Sequence, residues 1–312
     1  MNYLVCGEAL IDLIHDESNN WKAHQGGGPF NTAIALARLG ESVGFLGRLS
    51  GDSWGRSLEN ALLTAGVSPE QIVLAAEPTS LAVVEVSDKG KADYTFYLSD
   101  TSNFAWKSTE LPASLNGYHL LHIGTLALVI EPSSQILLEW VKQHQQEVII
   151  MIDLNVRPSV ISDASHYLAL IKPWLSVADV IKASDDDLKF LYPDLTWREA
   201  VAEIFSGSGV SLFAVTAGAT GAHLVTKEVS VSAAAPHVSV IDTVGAGDTF
   251  SAGLISKLAA SDLIQRNQLQ NASAAQLQSA LEFAVAASAL SCTKPGAQSP
   301  TKAEVESLLN DS

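Results

Sequence analysis

The run Asp242-Thr-Val-Gly-Ala-Gly-Asp248 contains residue types that are typical of a site that binds a negatively charged group. Small residues at Gly245, Ala246 and Gly247 let the backbone approach a ligand closely. Their N–H groups precede a helical pattern, and the start of a helix favours anions such as a phosphoryl group in transfer. An isolated carboxylate here would repel phosphate, so Asp248 needs an explanation. It has one if it faces an attacking hydroxyl and accepts its proton. The alternative is that Asp248 is only a helix N-cap.

A second glycine cluster, at residues 26–28, precedes Asn31 and another helical pattern. Glycine backbone groups at Gly27 and Gly28 and the Asn31 amide can bind a polyol; the alternative is a plain turn with an Asn cap. Asp12 lies in an apolar strand pattern, where a buried carboxylate needs partners such as two sugar hydroxyls. The chain has no GxxxxGK[ST] run, which excludes a Walker-type loop. The glycine spacing also disfavours a dinucleotide fold.

Polar and small residues follow two further strand-like runs, at the strand ends where open α/β sheets bind ligands. They are Asn155 and Arg157 after residues 148–153, and Thr216, Gly218 and Gly221 at the end of residues 212–216. Arg157 suits a phosphate and Asn155 a sugar or a phosphate, unless Arg157 only forms a structural pair with Asp153. The glycine turn suits a nucleotide, unless it is only a tight corner.

An acidic run at residues 185–187 follows a third strand pattern, at residues 180–183, and begins another helix. Three carboxylates there can hold a hydrated Mg²⁺. The alternative is an acidic helix start stabilised by the helix dipole, and we prefer it for Asp185 and Asp186.

Composition restricts the class of protein. The 312 residues are 47% apolar and 17% charged, which suits a well-buried α/β enzyme and argues against disorder. A formal net charge of −16 disfavours nucleic acid and anionic membranes as partners. Cys6 and Cys292 belong to no CxxC pattern, so we expect buried, reduced thiols. The first residues resemble a strand and not a signal peptide, and no apolar run has the length of a membrane span. We therefore expect a cytoplasmic protein.

Strand-like and helix-like runs alternate along most of the chain, which predicts a three-layer αβα sandwich with a mostly parallel central sheet. Strands are predicted at residues 3–6, 120–123, 148–153, 180–183, 212–216 and 237–242, and helices at residues 32–39, 133–144, 164–174, 197–205 and 249–258. The last dozen residues indicate a peripheral helix.

Two stretches interrupt this rhythm and predict a small β-sheet lid. Residues 81–98 form two alternating runs around a hairpin signal at residues 88–91, and residues 13–25 lie in a second strand-like stretch that ends at the glycines. Such a layer can cover a site. Its exposed strand edges need cover, so we predict a homodimer formed through the lid.

Two patterns together resemble the PfkB-type carbohydrate kinases, the ribokinase-like family, over essentially the whole chain. They are Gly-Gly-x-x-Asn at residues 27–31 and Asp-Thr-x-Gly-Ala-Gly-Asp at residues 242–248. The runs at residues 26–40, 153–157 and 181–191 are most similar to the fructokinase branch. The resemblance implies one kinase domain over residues 1–312. It also implies transfer of phosphate from ATP, with Mg²⁺, to a sugar, most of all the terminal hydroxyl of D-fructose.

The resemblance also implies residue roles. Asp248 is the general base, with Gly245, Ala246 and Gly247 as the anion hole. The sugar is bound by Asp12, Gly27, Gly28, Asn31 and Phe96, with Arg157 near the transferred phosphate. ATP lies along Asn155, Lys182, Ser184, Thr216, Gly218, Gly221, Gly245 and Gly247. A K⁺ ion near the anion hole involves Asp242, Val244, Ser291, Lys294 and Gly296, largely through backbone carbonyls.

One departure concerns the metal. The family's Asn-x-x-Glu motif is here Ser184-Asp-Asp-Asp187, so the water-mediated Mg²⁺ contact falls to a side chain one methylene shorter. The alternatives within the family are a ribokinase, a 2-keto-3-deoxygluconate kinase and a nucleoside kinase. From another class, the alternative is a non-catalytic sugar-sensing protein on the same fold.

Overall fold

The computed structural model describes residues 1–15, 20–86 and 92–311. Thirteen strands lie in this part of the chain: β1 Asn2–Cys6, β2 Leu10–His15, β3 Trp21–Gly26, β4 Ser42–Ser50, β5 Ile72–Ala75, β6 Leu81–Val86, β7 Ala92–Tyr97, β8 Leu120–Gly124, β9 Ile149–Asp153, β10 Val180–Ser184, β11 Leu212–Thr216, β12 Ala222–Val225 and β13 Ser230–Ala233. Ten α-helices accompany them: α1 Gly28–Arg38, α2 Ser53–Ala65, α3 Ser133–His144, α4 Ala164–Leu175, α5 Asp185–Leu191, α6 Trp197–Gly207, α7 Ala246–Ala260, α8 Arg266–Gln270, α9 Ala274–Ser291 and α10 Lys302–Asn310.

Nine strands form the central sheet, in the order β13-β12-β11-β10-β9-β8-β1-β4-β5. All neighbouring pairs are parallel except β11–β12 and β12–β13. The inner strands are short apolar runs whose residues are almost all buried, because helices cover both faces. One apolar core packs α1, α2, α7 and α9 on one face, and a second core packs α3, α4 and α6 on the other. The predicted three-layer arrangement with a mostly parallel sheet is confirmed.

The long helix α2, the strand β4 and most of the long helix α9 were not predicted from the sequence. The helix α9 is Ala-rich and largely buried, so it has no polar stripe of helical period to reveal it. It packs closely on α7, where a Cβ at Gly253 would lie 3.0 Å from Ala284 Cα. The close packing of small residues keeps α7 near the centre of the molecule.

The strand predicted at residues 237–242 is wrong. This segment has the alternating pattern of a strand, but it forms no ladder with any described strand. Instead, the amides of Ile241 and Asp242 both donate to the Cys292 carbonyl, at 2.8 and 3.2 Å, which fixes the segment to the end of α9. Alternation alone cannot distinguish a paired strand from an extended surface segment, because pairing needs a neighbouring strand at the correct distance.

A separate four-stranded sheet, in the order β3-β2-β6-β7, extends from the end of β1. Its strands lie in the two stretches predicted to form the lid. Residues 16–19 and the predicted hairpin turn at residues 88–91 lie outside the described residues. The register places Asp12, Ala82 and Phe96 in one row across three strands, so their side chains share one face. Gln25 Nε2 donates to Ser57 O and Ser57 Oγ, both at 2.9 Å, which ties this sheet to α2.

No helix within the described ranges is long and apolar enough to cross a membrane.

Candidate active site

The helix α7 begins in an unusual way, without a side-chain cap. Its N-cap is Gly245, at a left-handed φ of 75°, and a Cβ there would lie 2.7 Å from Ala297 Cβ. Glycine is therefore required both by the backbone and by the space. The Ala246 amide donates to Thr243 O at 3.2 Å, so this member of the predicted anion hole already has an acceptor. The next amides, of Gly247 and Asp248, belong to the first turn, where a helix provides no internal acceptor.

Asp248 is the third residue of α7 and is buried. Its Oδ2 accepts a hydrogen bond from Asn31 Nδ2 at 2.8 Å and does not cap the helix. The alternative that Asp248 is only an N-cap is therefore wrong. Burial raises the pKa of Asp248 to about 6, while the Asn31 hydrogen bond and the charges of Lys182 and Arg157 oppose that rise. Such a group is ionised at neutral pH and has enough basicity to accept a proton.

The glycine cluster before α1 faces Asp248 directly. A Cβ at Gly28 would lie 2.6 Å from Thr125 Oγ1, 3.1 Å from Asn155 Nδ2 and 3.3 Å from Asp248 Oδ1. A side chain at residue 28 would therefore fill the space into which three polar groups point. Gly27 has a φ of 111°, and a Cβ there would lie 2.6 Å from Glu8 O. Both glycines leave room for a small polar ligand beside Asp248.

Asp12 reaches this space from the lid, where it contacts the backbone at Gly26 so closely that a Cβ there could not fit. Burial raises the pKa of Asp12 to about 6, and Arg157 opposes the shift. Phe96 is half-buried on the same lid face and stacks on Tyr94, with ring centroids 5.9 Å apart. Asp12, Gly28 and Asn31 therefore lie around one space beside Asp248. Phe96 shares the lid face of Asp12 and lines a neighbouring cavity with Ile130 and Val160.

The loop after β9 lies between this space and a neighbouring cleft. Asn155 Nδ2 donates to Thr125 Oγ1 at 3.2 Å, and Arg157 Nη1 donates to Asn155 Oδ1 at 2.7 Å. Asp153 pairs with Lys182 and not with Arg157, so the alternative of a structural pair between Asp153 and Arg157 is wrong. The half-buried guanidinium of Arg157 can turn toward an anion, because its partners lie on its own loop.

A cleft of about 560 Å³ opens on the other side of the first turn of α7. It brings together most of the residues predicted to bind ATP, namely Asn155, Lys182, Ser184, Thr216, Gly218, Gly221 and Gly247. Gly245 is not among the residues that line it. At Gly221 the φ is 106° and a Cβ would collide with Ala233 O, so this turn is a tight corner that also lines the cleft. Cys292, expected to be buried, is half-buried at the cleft wall.

Asp187, in the same cleft, stabilises the backbone through both of its carboxylate oxygens. Its Oδ2 accepts from the Ser184 amide at 2.7 Å, within a capping box at the start of α5, and its Oδ1 accepts from the Val156 amide at 2.9 Å. Among the described residues, no group of three or more His, Cys, Asp or Glu side chains could hold a metal ion. A carboxylate has further lone pairs, so contact with a hydrated Mg²⁺ through water fits this donor set, whereas a direct multi-carboxylate site does not.

The residues predicted to surround K⁺ lie on two loops and on the end of α9. Asp242 accepts from the amides of Val244 at 3.0 Å and Gly296 at 2.8 Å, which joins the two loops beside Gly245. Ser291 is buried at the end of α9. The Lys294 side chain points away, to Glu304 at 2.9 Å.

Sequence reasoning did not identify Glu8, Thr125 or Tyr94 as site residues. Glu8 is buried at the junction of the central sheet and the lid, and its Oε2 has no hydrogen-bond partner in the described part of the chain. Burial raises the pKa of Glu8 to about 7, and nearby Asp248 raises it further while Arg157 lowers it. The one available signal was a carboxylate directly after a buried strand, where open sheets place ligands.

Residues 2–304 match the family described as pfkB family carbohydrate kinase. The chain belongs to this family. It is 32% identical over 272 residues to a fructokinase of Rhizobium leguminosarum bv. trifolii, covering 85% of this chain and 82% of that protein. It is 30% identical over 305 residues to a fructokinase of Vibrio alginolyticus, covering 96% of each.

Solved structures of family members have the same fold. Fructokinase from Xylella fastidiosa with bound ATP superimposes with a TM-score of 0.90 at 28% identity, over 99% of this chain and 98% of that one. A fructokinase double mutant from Vibrio cholerae O395, with fructose, ADP and potassium bound, gives 0.86 at 27% identity, over the same shares. Aminoimidazole riboside kinase from Salmonella enterica gives 0.82 at 27% identity, over the full length of both chains.

Because Asp248 is buried, its charge should lower the stability of the folded protein. The folded-state pKa of about 6 exceeds the ordinary value, so the cost of the buried charge is present above about pH 6 and disappears toward pH 4. We expect Asp248→Asn to raise the free energy of unfolding by about 1–3 kcal/mol at pH 8 and by much less at pH 4. Thermal unfolding at both pH values measures the effect.

The matched control is Asp262→Asn, at an exposed position whose left-handed φ Asn also tolerates. It should change stability by less than about 0.5 kcal/mol at either pH. Equal stability of Asp248→Asn and the unmodified chain at pH 8 would contradict the assignment of a buried, ionised carboxylate.

Proposed function

We propose that this chain is an ATP-dependent fructokinase that phosphorylates D-fructose at its terminal hydroxyl, giving fructose 6-phosphate. The observation that carries the proposal is the buried Asp248, held by Asn31 between a polar space under the lid and the cleft beside the first turn of α7. The family match and the fructokinases among the similar proteins support the same activity. Transfer between a sugar and a nucleotide needs a base at the boundary of their two sites.

In the proposed mechanism, the sugar is held by Asp12 from the lid and by the backbone of Gly27 and Gly28, with Phe96 against its apolar face. Asn31 orients the Asp248 carboxylate through the 2.8 Å hydrogen bond, so one carboxylate oxygen remains for the substrate hydroxyl. Asp248 accepts the proton of that hydroxyl as the oxygen attacks the terminal phosphorus of ATP in line. The bond from this phosphorus to the bridging oxygen breaks, and ADP leaves. The lid excludes water, so the sugar and not water is phosphorylated.

The transferred phosphoryl group would be stabilised by the first turn of α7. The amides of Gly247 and Asp248 and the positive end of the helix dipole favour negative charge at this position. Arg157 can move from its own loop to the phosphate, and the remaining ATP lies along Lys182, Ser184, Thr216, Gly218 and Gly221. A chain with a net charge of −16 needs such local donors, because its overall field repels ATP.

Two cations belong to the proposal. Asp187 would hold a hydrated Mg²⁺ through water, and this ion would neutralise charge on the ATP phosphates. For K⁺, we propose backbone carbonyls of the two loops that Asp242 joins through Val244 and Gly296. A comparison of initial rates in KCl and NaCl would test this, and equal rates would contradict it.

A second candidate activity is supported by one comparison. Aminoimidazole riboside kinase matches this chain over its full length. Stacked Tyr94 and Phe96 on the lid would suit the planar ring of such an acceptor.

A coupled assay of ADP release over a panel of acceptors tests the proposed activity and its rivals. The panel contains D-fructose, D-ribose, 2-keto-3-deoxygluconate, aminoimidazole riboside and adenosine, with ATP and MgCl₂ at fixed concentrations. We expect kcat/KM for fructose to exceed that for every other acceptor by at least about tenfold. A higher value for another acceptor would reassign the substrate. Fructose binding without ADP release from any acceptor would instead support a sugar sensor.

Replacement of the base tests the mechanism. We expect Asp248→Asn to lower kcat by about 10²–10⁴-fold while the dissociation constant for fructose changes little, because Asn keeps the bond from Asn31. In the unmodified enzyme, kcat/KM should fall as the pH falls through about 6, where Asp248 becomes protonated. Stopped assays between pH 5 and 8 and calorimetric titration with fructose measure both effects. Full activity of the variant would rule out Asp248 as the base.

Two further proposals concern the oligomeric state and the cellular location. The lid leaves large apolar side chains exposed, with Trp21 at 50% and Tyr97 at 58%, which supports a homodimer formed through this sheet. Sedimentation velocity would test it, and a monomer at micromolar concentration would contradict it. The two free cysteines are consistent with a cytoplasmic location.

A further inference from the structure

Three buried polar side chains meet beneath the first turns of α7. Lys182 Nζ lies 3.0 Å from Asp153 Oδ2, and Ser251 Oγ donates to the same oxygen at 3.2 Å. The Lys182 and Asp153 side chains are only 4% and 3% exposed. These residues come from β10, β9 and α7, so the cluster connects the sheet to the helix that carries Asp248. Neither Asp153 nor Ser251 contacts the space beside Asp248 that the proposed mechanism gives to the sugar.

The position of the ammonium group is specific. A Cβ at Gly247 would lie 2.9 Å from Lys182 Nζ, so the absence of a side chain there brings the cation against the first turn of α7. Lys182 and Gly247 both line the nucleotide-side cleft. An ammonium group has three donors, and Asp153 takes one of them. The others are available to an anion bound at the first turn.

Several ionisable groups face Lys182 from the surrounding elements: Asp153 on β9, Asp187 on α5, Asp248 on α7 and His122 on β8. Burial alone would lower the pKa of Lys182, but Asp153, Asp187 and Asp248 raise it, so the side chain stays charged. His122 adds no charge, because burial lowers its pKa to about 3.

Among these carboxylates, Asp153 is the one in direct contact. Asp187 uses its oxygens on the amides of Ser184 and Val156, and Asp248 accepts from Asn31. Asp153 Oδ1 has no hydrogen-bond partner in the described ranges. The carboxylate is therefore stabilised by Lys182 and Ser251, which both contact its Oδ2. A buried lysine without such a counter-ion releases its proton readily.

We propose that Asp153 is a positioning residue that holds the Lys182 ammonium, in its charged form, against the phosphoryl group transferred at the first turn of α7. This inference rests on the proposed kinase activity. It adds Asp153 as the residue that keeps the buried Lys182 ammonium in place and protonated.

The test is the pH dependence of kcat in Asp153→Asn, with saturating ATP and fructose. An Asn oxygen can still accept from Lys182, but the counter-charge is lost. We expect kcat of this variant to fall at least about tenfold between pH 6.5 and 8.5, as Lys182 loses its proton, while the unmodified enzyme changes less than about threefold. A merely structural role of Asp153 would lower activity equally at all pH values, and such a flat profile would overturn the inference.

Lys182→Met provides an independent test that does not depend on Asp153→Asn folding. It should lower kcat by about 10²–10³-fold at every pH with little change in KM for fructose, and unchanged kcat would overturn the inference. The double variant should match Lys182→Met, because Asp153 acts only through the lysine. A double variant at least about tenfold less active than Lys182→Met would contradict the claim that Asp153 acts only through Lys182.

Asp179→Asn is the matched control. Asp179 is also a buried carboxylate in an ion pair, with Arg266 Nε at 2.7 Å, but it lies next to the opposite end of β10. It should lower the thermal unfolding temperature and leave the pH profile of kcat unchanged. If the unmodified chain turns over no acceptor, the proposed function fails; if it does and the Asp153→Asn profile is flat, only this inference fails.

Discussion

The hydrogen bond from Asn31 to Asp248 is the contact on which the site depends. It joins the first turns of α1 and α7 through two residues that are 217 positions apart in sequence, and each of these helices begins without a side-chain cap. The glycines before α1 and α7 have positive φ values, at Gly27 and Gly245, and so turn both chains toward the same point. The carboxylate is thereby oriented by one amide while its other oxygen faces the open space at Gly28.

A buried carboxylate is unfavourable unless the surroundings compensate for lost hydration. Here the compensation is incomplete, since the pKa of Asp248 is raised to about 6 and that of Glu8 to about 7. The site concentrates acidic groups, with the buried cation Lys182 and the half-buried Arg157 placed among them. Stability is lower in this arrangement, but a base of suitable strength results next to groups that attract phosphate.

The central sandwich and the lid sheet make different contributions to the site. The central sheet and the helices on it are closely packed, so the first turn of α7 has one position relative to β9 and β10. The lid sheet is joined to α2 by the hydrogen bonds from Gln25 to Ser57, and Ile11 of its strand β2 packs in the apolar core. Phosphoryl transfer with exclusion of water needs a rigid anion site and a lid over the substrate, and this fold provides both elements.

The sequence alone determined the strand and helix alternation, the parallel sheet and the two glycine-led motifs. These features are local, because apolar runs and glycine turns restrict the backbone whatever lies nearby. Helix α3 was predicted with the same bounds as observed. Residues 237–242 were mistaken for a strand, because alternation does not reveal whether a partner strand is present.

Only the tertiary structure decided how the polar groups pair. It assigned Asp153 to Lys182 instead of Arg157, used both oxygens of Asp187 on backbone amides, and brought Glu8 and Thr125 to the site. Such pairings depend on distances of about 3 Å between residues far apart in sequence, and a short-range pattern contains no information about them. The motif ending at Asp248 therefore indicated a base, but its orientation by Asn31 and its raised pKa follow from packing alone.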